Sequence, residues 1–300
     1  MISSGTAVRP RVSIGLPVYN GERYIGETLD SLLAQTYEDF ELIICDNDSA
    51  DRTQEICLSY AAKDRRIRYV RNPNNLGAAK NYGLTFQLSS GEYFRWANCD
   101  DLFAPKSLER CIEVLDREPS TILVYPKTKL IDEHGQIIGE YEDGLHLQSA
   151  RASERFIVTL GVGMVNVLYG LIRAASVRKT AMIGNFIGGD TALIAELALY
   201  GKFWEVPDFL FYRRIHRGAY SQLKNVDQQQ NFFDPNSRGR LPFAQWRYFS
   251  ACCHAVSRAP ISISEKLRLS VCLMHGAYWR HAELTGEIIA AMRQTIRRIV

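Results

Sequence analysis

Several short polar stretches of this chain carry the residue types that chemistry on a charged substrate would need. Asn98-Cys99-Asp100-Asp101 follows Gly91-Glu92-Tyr93-Phe94-Arg95-Trp96-Ala97, which reads as a turn feeding a short apolar strand. Two adjacent carboxylates therefore arrive where a strand ends and a loop begins. Anions this close repel each other and resist burial unless a cation or a set of donors neutralises them, and a hard divalent metal with oxygen ligands is a common solution. An Asp-Asp pair ahead of a helix is also an ordinary N-cap, with Pro105 suited to that helix's first turn. Upstream lie Pro17-Val18-Tyr19-Asn20, the acidic knot Asp46-Asn47-Asp48-Ser49-Ala50-Asp51, and Asn72-Pro73-Asn74-Asn75-Leu76-Gly77. Downstream, Gly188-Gly189-Asp190 opens an apolar helix, where Asp190 reads as its cap, and Arg213-Arg214-Ile215-His216-Arg217-Gly218 forms a basic loop.

The elements that must position these residues follow from periodicity. Val12 to Leu16 is a β-rich run that Pro17 is expected to stop, since proline cannot continue a central ladder. Tyr24, Ile25, Leu29, Leu32 and Leu33 then recur at helical spacing, with Asn20 available as a cap. Phe40 to Cys45 is nearly continuous in apolar residues, as a strand covered on both faces should be. Asp51 with Gln54 suggests a capping box for the next helix. Ile67 to Val70 is a third strand, and a helix begins near Ala78. After the fourth strand, Leu108, Cys111, Ile112 and Leu115 mark a clean amphipathic helix.

Four strands alternating with helices require right-handed crossovers and a parallel sheet, whose ligand crevice lies at the strands' carboxyl ends. The polar clusters ending at Asn20, Asp48, Gly77 and Asp101 all fall at such ends, and none of them holds a lysine or glutamate. No G-x-G-x-x-G follows the first strand, which argues against a dinucleotide-binding dehydrogenase. Past Tyr125 the alternation stops, a hairpin about His134-Gly135 joins Leu130 to Ile138, and Phe209 to Tyr212 is a late strand.

With 46% hydrophobic and 23% charged residues, three hundred residues make one large α/β domain or two small ones. Seven cysteines without a C-x-x-C point to reduced thiols in a cytoplasmic setting, and Met1-Ile2-Ser3-Ser4-Gly5 has no basic n-region ahead of an apolar core, so no signal peptide is expected. The net charge of +3 is uneven: residues 238–300 hold ten Lys and Arg against three Glu, a surplus of +7 that leaves −4 for the first 237. A basic tail of this kind suits an anionic surface, at the inner face of a membrane, as well as a solvated helical face.

Taken together, Pro17-Val18-Tyr19-Asn20, Cys45-Asp46-Asn47-Asp48, Asn75-Leu76-Gly77-Ala78-Ala79-Lys80-Asn81, Gly91-Glu92-Tyr93 and Asn98-Cys99-Asp100-Asp101 resemble the family 2 glycosyltransferases, the inverting GT-A group, over roughly residues 10–220. The resemblance implies an α/β fold of GT-A type, a nucleotide-binding sandwich with a mostly parallel central sheet and a C-terminal helical extension. It divides the chain into a glycosyltransferase domain at 1–237, with a nucleotide-binding half about 10–125 and an acceptor half about 126–220, and a basic extension at 238–300. Pro17, Val18, Tyr19, Asn20, Asp46, Asn47, Lys80, Asn98 and Asp100 are implied in nucleotide-sugar binding. Asp100 or Asp101 would bind Mn²⁺ or Mg²⁺ on the diphosphate, and His216 resembles a basic element that closes over the diphosphate or reaches the metal, an exposed loop histidine being the plainer reading. Asp190 resembles the catalytic base.

The chain departs from the family pattern at Asn98, where the D-x-D motif begins with aspartate, and at Asn47, which replaces a second acid. Asn98 can still bond a ribose hydroxyl and Asn47 can still accept from a base imide. The implied donor is a UDP or dTDP sugar, then a GDP sugar. The implied acceptor is a glycan or lipid-linked hydroxyl in cell-surface polysaccharide synthesis, with no nucleic-acid partner. The rival readings are an inactive sugar-nucleotide-binding protein and a nucleotidyltransferase, the latter wanting a basic glycine-rich loop that Asn20-Gly21-Glu22 is not.

Overall fold

The computed structural model describes residues 9–237 and 243–299, the last six of these by backbone alone, so the Met1 to Gly5 terminus and Arg238 and Arg240 of the basic tail lie outside the described residues. Strands β1 (Val12–Val18), β2 (Phe40–Asp46), β3 (Ile67–Arg71) and β4 (Tyr93–Trp96) pair in parallel in the order β3-β2-β1-β4. Their crossovers carry α1 (Ile25–Leu33), α2 (Thr53–Ala61) and α3 (Ala78–Gln87). All seven residues of β1 are buried, as expected of a strand covered on both faces.

Pro17 does not stop β1, which continues to Val18 in register with Asp46. The reason lies in which neighbour each residue faces. The Val18 carbonyl accepts from the Asn47 N–H on the β2 side, whereas Gly15 accepts from Ala97 on the β4 side, so by alternation Pro17 faces β4. The β4 ladder ends at Trp96 opposite Gly15, and the N–H that proline lacks has no partner to miss. The expected cap of α1 does not form, because the Asn20 side chain accepts from the Ala50 N–H instead. Asp51 does hold the start of α2, accepting from the Thr53 N–H at 3.0 Å as well as from the Glu22 N–H, but Gln54 accepts from Arg71 and does not close the box.

Beyond the parallel half come β5 (Leu102–Phe103), α4 (Ser107–Arg117), β6 (Thr121–Ile131), β7 (Ile137–Tyr141), α5 (Ala152–Thr159), β8 (Leu171–Arg173), α6 (Ala174–Val177), α7 (Gly189–Tyr200) and β9 (Lys202–Arg214). They extend the same sheet as β4-β8-β6-β9-β5, with β7 on β6 through the expected hairpin. β8 is antiparallel to both neighbours, and β6 and β9 are parallel. On α4, Leu108, Cys111, Ile112 and Leu115 are all buried, as their spacing predicts.

The chain closes with α8 (Val226–Phe233), α9 (Ala244–Arg258), α10 (Ile263–Trp279) and α11 (His281–Ile299). Cys252, Ala255 and Val256 of α9 form a second apolar cluster with Ala152 and Phe156 of α5, Ala195 and Leu199 of α7, and Leu269 and Leu273 of α10. The opposite face of α10 bears Ile263, Leu267, Val271, Met274 and Tyr278, each at least 60% exposed. No helix among the described residues is long and apolar enough to cross a membrane.

Candidate active site

A cleft of about 1110 Å³ opens at the carboxyl ends of β1, β2 and β4 and is walled on the far side by the segment after β9. Pro17, Val18, Tyr19, Asn20, Asn47, Asn98, Asp100, Asp101, Asp190 and His216 all line it. The loops that converge here are brought together by the parallel order of their strands, as the sheet's geometry requires. Asp46 and Lys80, also expected in nucleotide binding, do not line it. Asp46 is fully buried, its carboxylate taken up by the Tyr69 hydroxyl at 2.6 Å, an Arg71 N–H at 3.2 Å and the Ser49 N–H at 2.9 Å. Lys80 is exposed on α3.

The adjacent aspartates part company. Asp100 faces the cleft, where its Oδ2 meets Nε2 of His216 at 2.9 Å. Asp101 is 2% exposed and turns inward: Oδ1 accepts the main-chain N–H of Arg214 at 2.9 Å, and Oδ2 accepts from the Asn98 amide at 3.1 Å. Burial, then the neighbouring charge of Asp100, raises its carboxyl above the usual carboxylate range. The expected metal pair is thus one facing carboxylate, Asp100, and one structural carboxyl, Asp101. Arg214 is itself buried and ties this corner together, donating to the Asp100 carbonyl at 3.0 Å and to Glu27 at 2.7 Å, with its guanidinium 4.5 Å from the Tyr24 ring centroid.

The two asparagines that replace acids are bonded within the protein through both the oxygen and the nitrogen of their amides. Asn98 accepts from the Tyr82 hydroxyl and donates to Asp101 and to Tyr169. Asn47 Oδ1 accepts from the Asn72 amide at 3.0 Å and the Leu76 N–H at 2.9 Å, and its own amide donates to Asn75 at 2.8 Å. The Asn47 oxygen has two donors already, whereas the Asn98 oxygen has one and keeps a second lone pair, and each residue ties loops from different strands to one another. Asn72 in turn donates to Asn81, so an asparagine network joins the loop after β2 to α3. Nothing in local sequence marks these bonds, whose partners lie up to 71 residues apart.

Asp190 lies in the first turn of α7, whose cap is Gly188 in the left-handed region at φ +88°. Its Oδ1 accepts from the Thr191 N–H at 2.8 Å, and burial raises its carboxyl above the usual range, which brings a proton acceptor nearer neutral pH. Arg213 lines the same cleft, and its positive charge draws down the carboxyls of Asp101 and Asp190. Of the other carboxyls in this half of the chain, Glu196 is buried against Arg258 and the Ala181 N–H, and Asp132 holds the β6–β7 turn through His134 and Gln136. The outer wall is aromatic, with Tyr220 stacked on Phe232 at 4.8 Å and edge-on to Phe233 at 5.3 Å.

The carboxylate and imidazole nitrogen donors of Asp100 and His216 are of the types a divalent cation takes. Among the described residues no group of three or more His, Cys, Asp or Glu is gathered where it could hold a metal ion.

Residues 13–153 match the family described as Glycosyl transferase family 2. An uncharacterized glycosyltransferase of Rickettsia prowazekii is 40% identical over 208 residues, covering 67% of this chain and 61% of that one. Chondroitin synthase of Escherichia coli is 28% identical over 255 residues, 82% of this chain and 35% of that one. An uncharacterized glycosyltransferase of Rickettsia typhi is 40% identical over 125 residues, and this chain spans 38% of its length. The chain therefore covers less than two thirds of each. Among solved structures, S. aureus TarS 1–349 in complex with UDP-GlcNAc superposes with a TM-score of 0.64 at 16% identity, over 89% of this chain and 72% of that one. Mannosyltransferase PcManGT from Pyrobaculum calidifontis, in complex with GDP-Man and Mn²⁺, gives 0.52 at 15% identity over 97% and 88%.

Proposed function

We propose that this chain, which belongs to glycosyltransferase family 2 through residues 13–153 and has the GT-A fold, moves a sugar from a nucleoside diphosphate donor to a hydroxyl acceptor with inversion at the anomeric carbon. The observation that carries this reading is the joint presence, in one cleft, of the Asp100–His216 pair, the Arg213 cation and the desolvated carboxyl of Asp190. Asp100 and His216 would hold Mn²⁺ or Mg²⁺, which when bound would supply Lewis acidity toward the departing diphosphate. Arg213 adds a fixed cation for the charge that gathers on the leaving group. Asp190 takes the proton from the acceptor hydroxyl as that oxygen attacks, and its raised pKa suits that task near neutral pH.

The nucleoside rests against Pro17, Val18, Tyr19 and Asn20, with half-exposed Tyr19 the ring available to a base. UDP sugars are the first choice, supported by the fold shared with TarS, then dTDP sugars, with GDP sugars supported by PcManGT. The similarity to chondroitin synthase supports a glycan or lipid-linked acceptor in polysaccharide synthesis. The exposed apolar row of α10, together with the exposed Arg268, Arg280 and Arg293 of the C-terminal segment, supports work at an anionic membrane surface.

The test is a thermal-shift and hydrolysis screen of UDP-GlcNAc, dTDP-glucose and GDP-mannose with Mn²⁺, Mg²⁺ or EDTA. One donor should stabilise the protein only with a divalent cation and release its nucleoside diphosphate slowly to water. Equal binding of all three in EDTA overturns the metal assignment. Tight binding with no hydrolysis or transfer supports the rival of an inactive binding protein.

A further inference from the structure

The loop that delivers Asp190 is held from outside its own element. Residues 184–189 include Gly184, Gly188 and Gly189, and a main-chain bond within this turn runs from the Gly189 N–H to the Phe186 carbonyl at 2.9 Å. A run so rich in glycine loses more conformational freedom on ordering than other residues do, so its geometry depends on what grips it. The grip comes from α8 and α9. Arg247 of α9 donates to the Asn185 side-chain oxygen and lays its guanidinium 5.1 Å from the Phe186 ring centroid. The Tyr248 ring packs on Gly188, where a Cβ would sit 3.6 Å from its edge. From α8, the Gln230 amide donates to the Asn185 carbonyl at 3.1 Å, and the Asn185 amide donates to Asp234 at 3.2 Å.

Arg247 does not line the cleft, and the packing of α9 on α7 runs through a separate apolar set of Ala195, Leu199, Cys252, Ala255 and Val256. The guanidinium is therefore not what attaches α9. We propose that Arg247, through Asn185 and Phe186, is a positioning residue that fixes the Gly184–Asp190 loop and so aims the Asp190 carboxylate. This rests on the reading of Asp190 as the base. It gives α9, which lies beyond the family-matched residues 13–153 and outside the cleft lining, a part in catalysis through the loop it grips.

The experiment compares wild type, Arg247→Ala, Asn185→Ala, the double variant and Asp190→Asn on the nucleotide sugar that wild type hydrolyses, with Mn²⁺ present. Arg247→Ala should lower kcat about tenfold or more with donor KM within twofold, since a misaimed base costs turnover and not donor binding. Hydrogen–deuterium exchange should rise across 184–190 and stay unchanged in β1 to β4, a local signature that general destabilisation does not give. Asn185→Ala, which also removes the bond to Asp234, should lose at least a similar factor, and the double variant should lose less than the product of the two losses, because the Arg247–Asn185 contact is common to both. Millimolar guanidinium should restore part of the Arg247→Ala rate. If Asp190→Asn is inactive while Arg247→Ala keeps kcat within twofold and leaves exchange at 184–190 unchanged, the positioning role is overturned and the base stands. If Asp190→Asn hydrolyses donor within a few-fold of wild type, the base assignment falls first and takes the positioning role with it.

Discussion

Asn98 gives one amide hydrogen to Asp101 at 3.1 Å and the other to the Tyr169 hydroxyl at 2.7 Å, so the residue standing where the family's motif has aspartate is the donor that a buried carboxyl needs. An aspartate at 98 would remove that donor and set a second carboxylate against Asp101. Restoring the family residue should therefore harm the protein. Asn98→Asp is expected to cost about 2 kcal/mol in chemical denaturation at pH 8, with a smaller loss at pH 5, where carboxyls raised above their usual range hold their protons. Unchanged stability with stronger Mn²⁺-dependent nucleotide binding would show that Asn98 only substitutes for a lost ligand.

Asp190→Asn keeps the size and hydrogen-bonding reach of the side chain but removes its basicity. Turnover should fall on the order of a hundredfold to ten-thousandfold, while donor affinity in the presence of Mn²⁺ stays within a few-fold. Rates and affinities measured on the same preparation separate the two effects. Retention of near-normal turnover would make Asp190 a structural residue of α7.

Stability should fall as the pH is raised from about 5 to 8. Burial pushes the Asp143 carboxyl up to about 7, and its Oδ2 has no hydrogen-bond partner, while an unfolded aspartate titrates near 3.9. Between those values the unfolded chain has released a proton that the folded one keeps. The contribution is thus complete below about pH 4 and is lost as the pH passes through about 7. Asp101 and Asp190, raised in the same direction, add to this slope. Melting temperatures across pH 5–8 should decline in wild type and decline less in Asp143→Asn; an equal slope in both would remove Asp143 from the account.

The apolar row of α10 should carry the protein onto anionic bilayers. Co-sedimentation with vesicles containing phosphatidylglycerol should exceed that with phosphatidylcholine alone and weaken with salt, because the electrostatic share is screened over about 10 Å at 0.1 M. Leu267→Glu with Met274→Glu should abolish it. A concentration-dependent dimer that ignores vesicles would assign the row to a second copy of the chain instead.

Periodicity made much of this fold legible. The four parallel strands with their crossover helices, the buried stripe Leu108-Cys111-Ile112-Leu115 and the hairpin at Gly135 all follow from local spacing, as does the convergence of polar loops at the strand ends. What local reasoning missed is set by partners distant in the chain. Pro17 stays in β1 because a neighbouring strand happens to end beside it, and Asp101 turns inward because Arg214 presents a main-chain N–H. Asn47 reads as an acceptor for a ligand, but Asn72 and Leu76 already donate to its oxygen. Asp46, the most acid-like candidate for a nucleotide contact, is withdrawn by Tyr69 and Arg71, and neither residue signals this from its own neighbourhood.

The bond between Asp101 and the Arg214 N–H spans 113 residues, and this separation has a consequence for synthesis. At about 5–20 residues per second, a ribosome takes roughly 6–23 s to deliver Arg214 after Asp101 has been made. During that interval the first four strands have all left the peptidyl-transferase centre and can pair, but one oxygen of the acidic corner still lacks its donor. The nascent sheet must therefore wait with this corner hydrated, and the last strand to emerge both extends the sheet and dries the floor of the cleft. Completion of the cleft in this molecule is a late event of translation, set by β9 and the helices behind it.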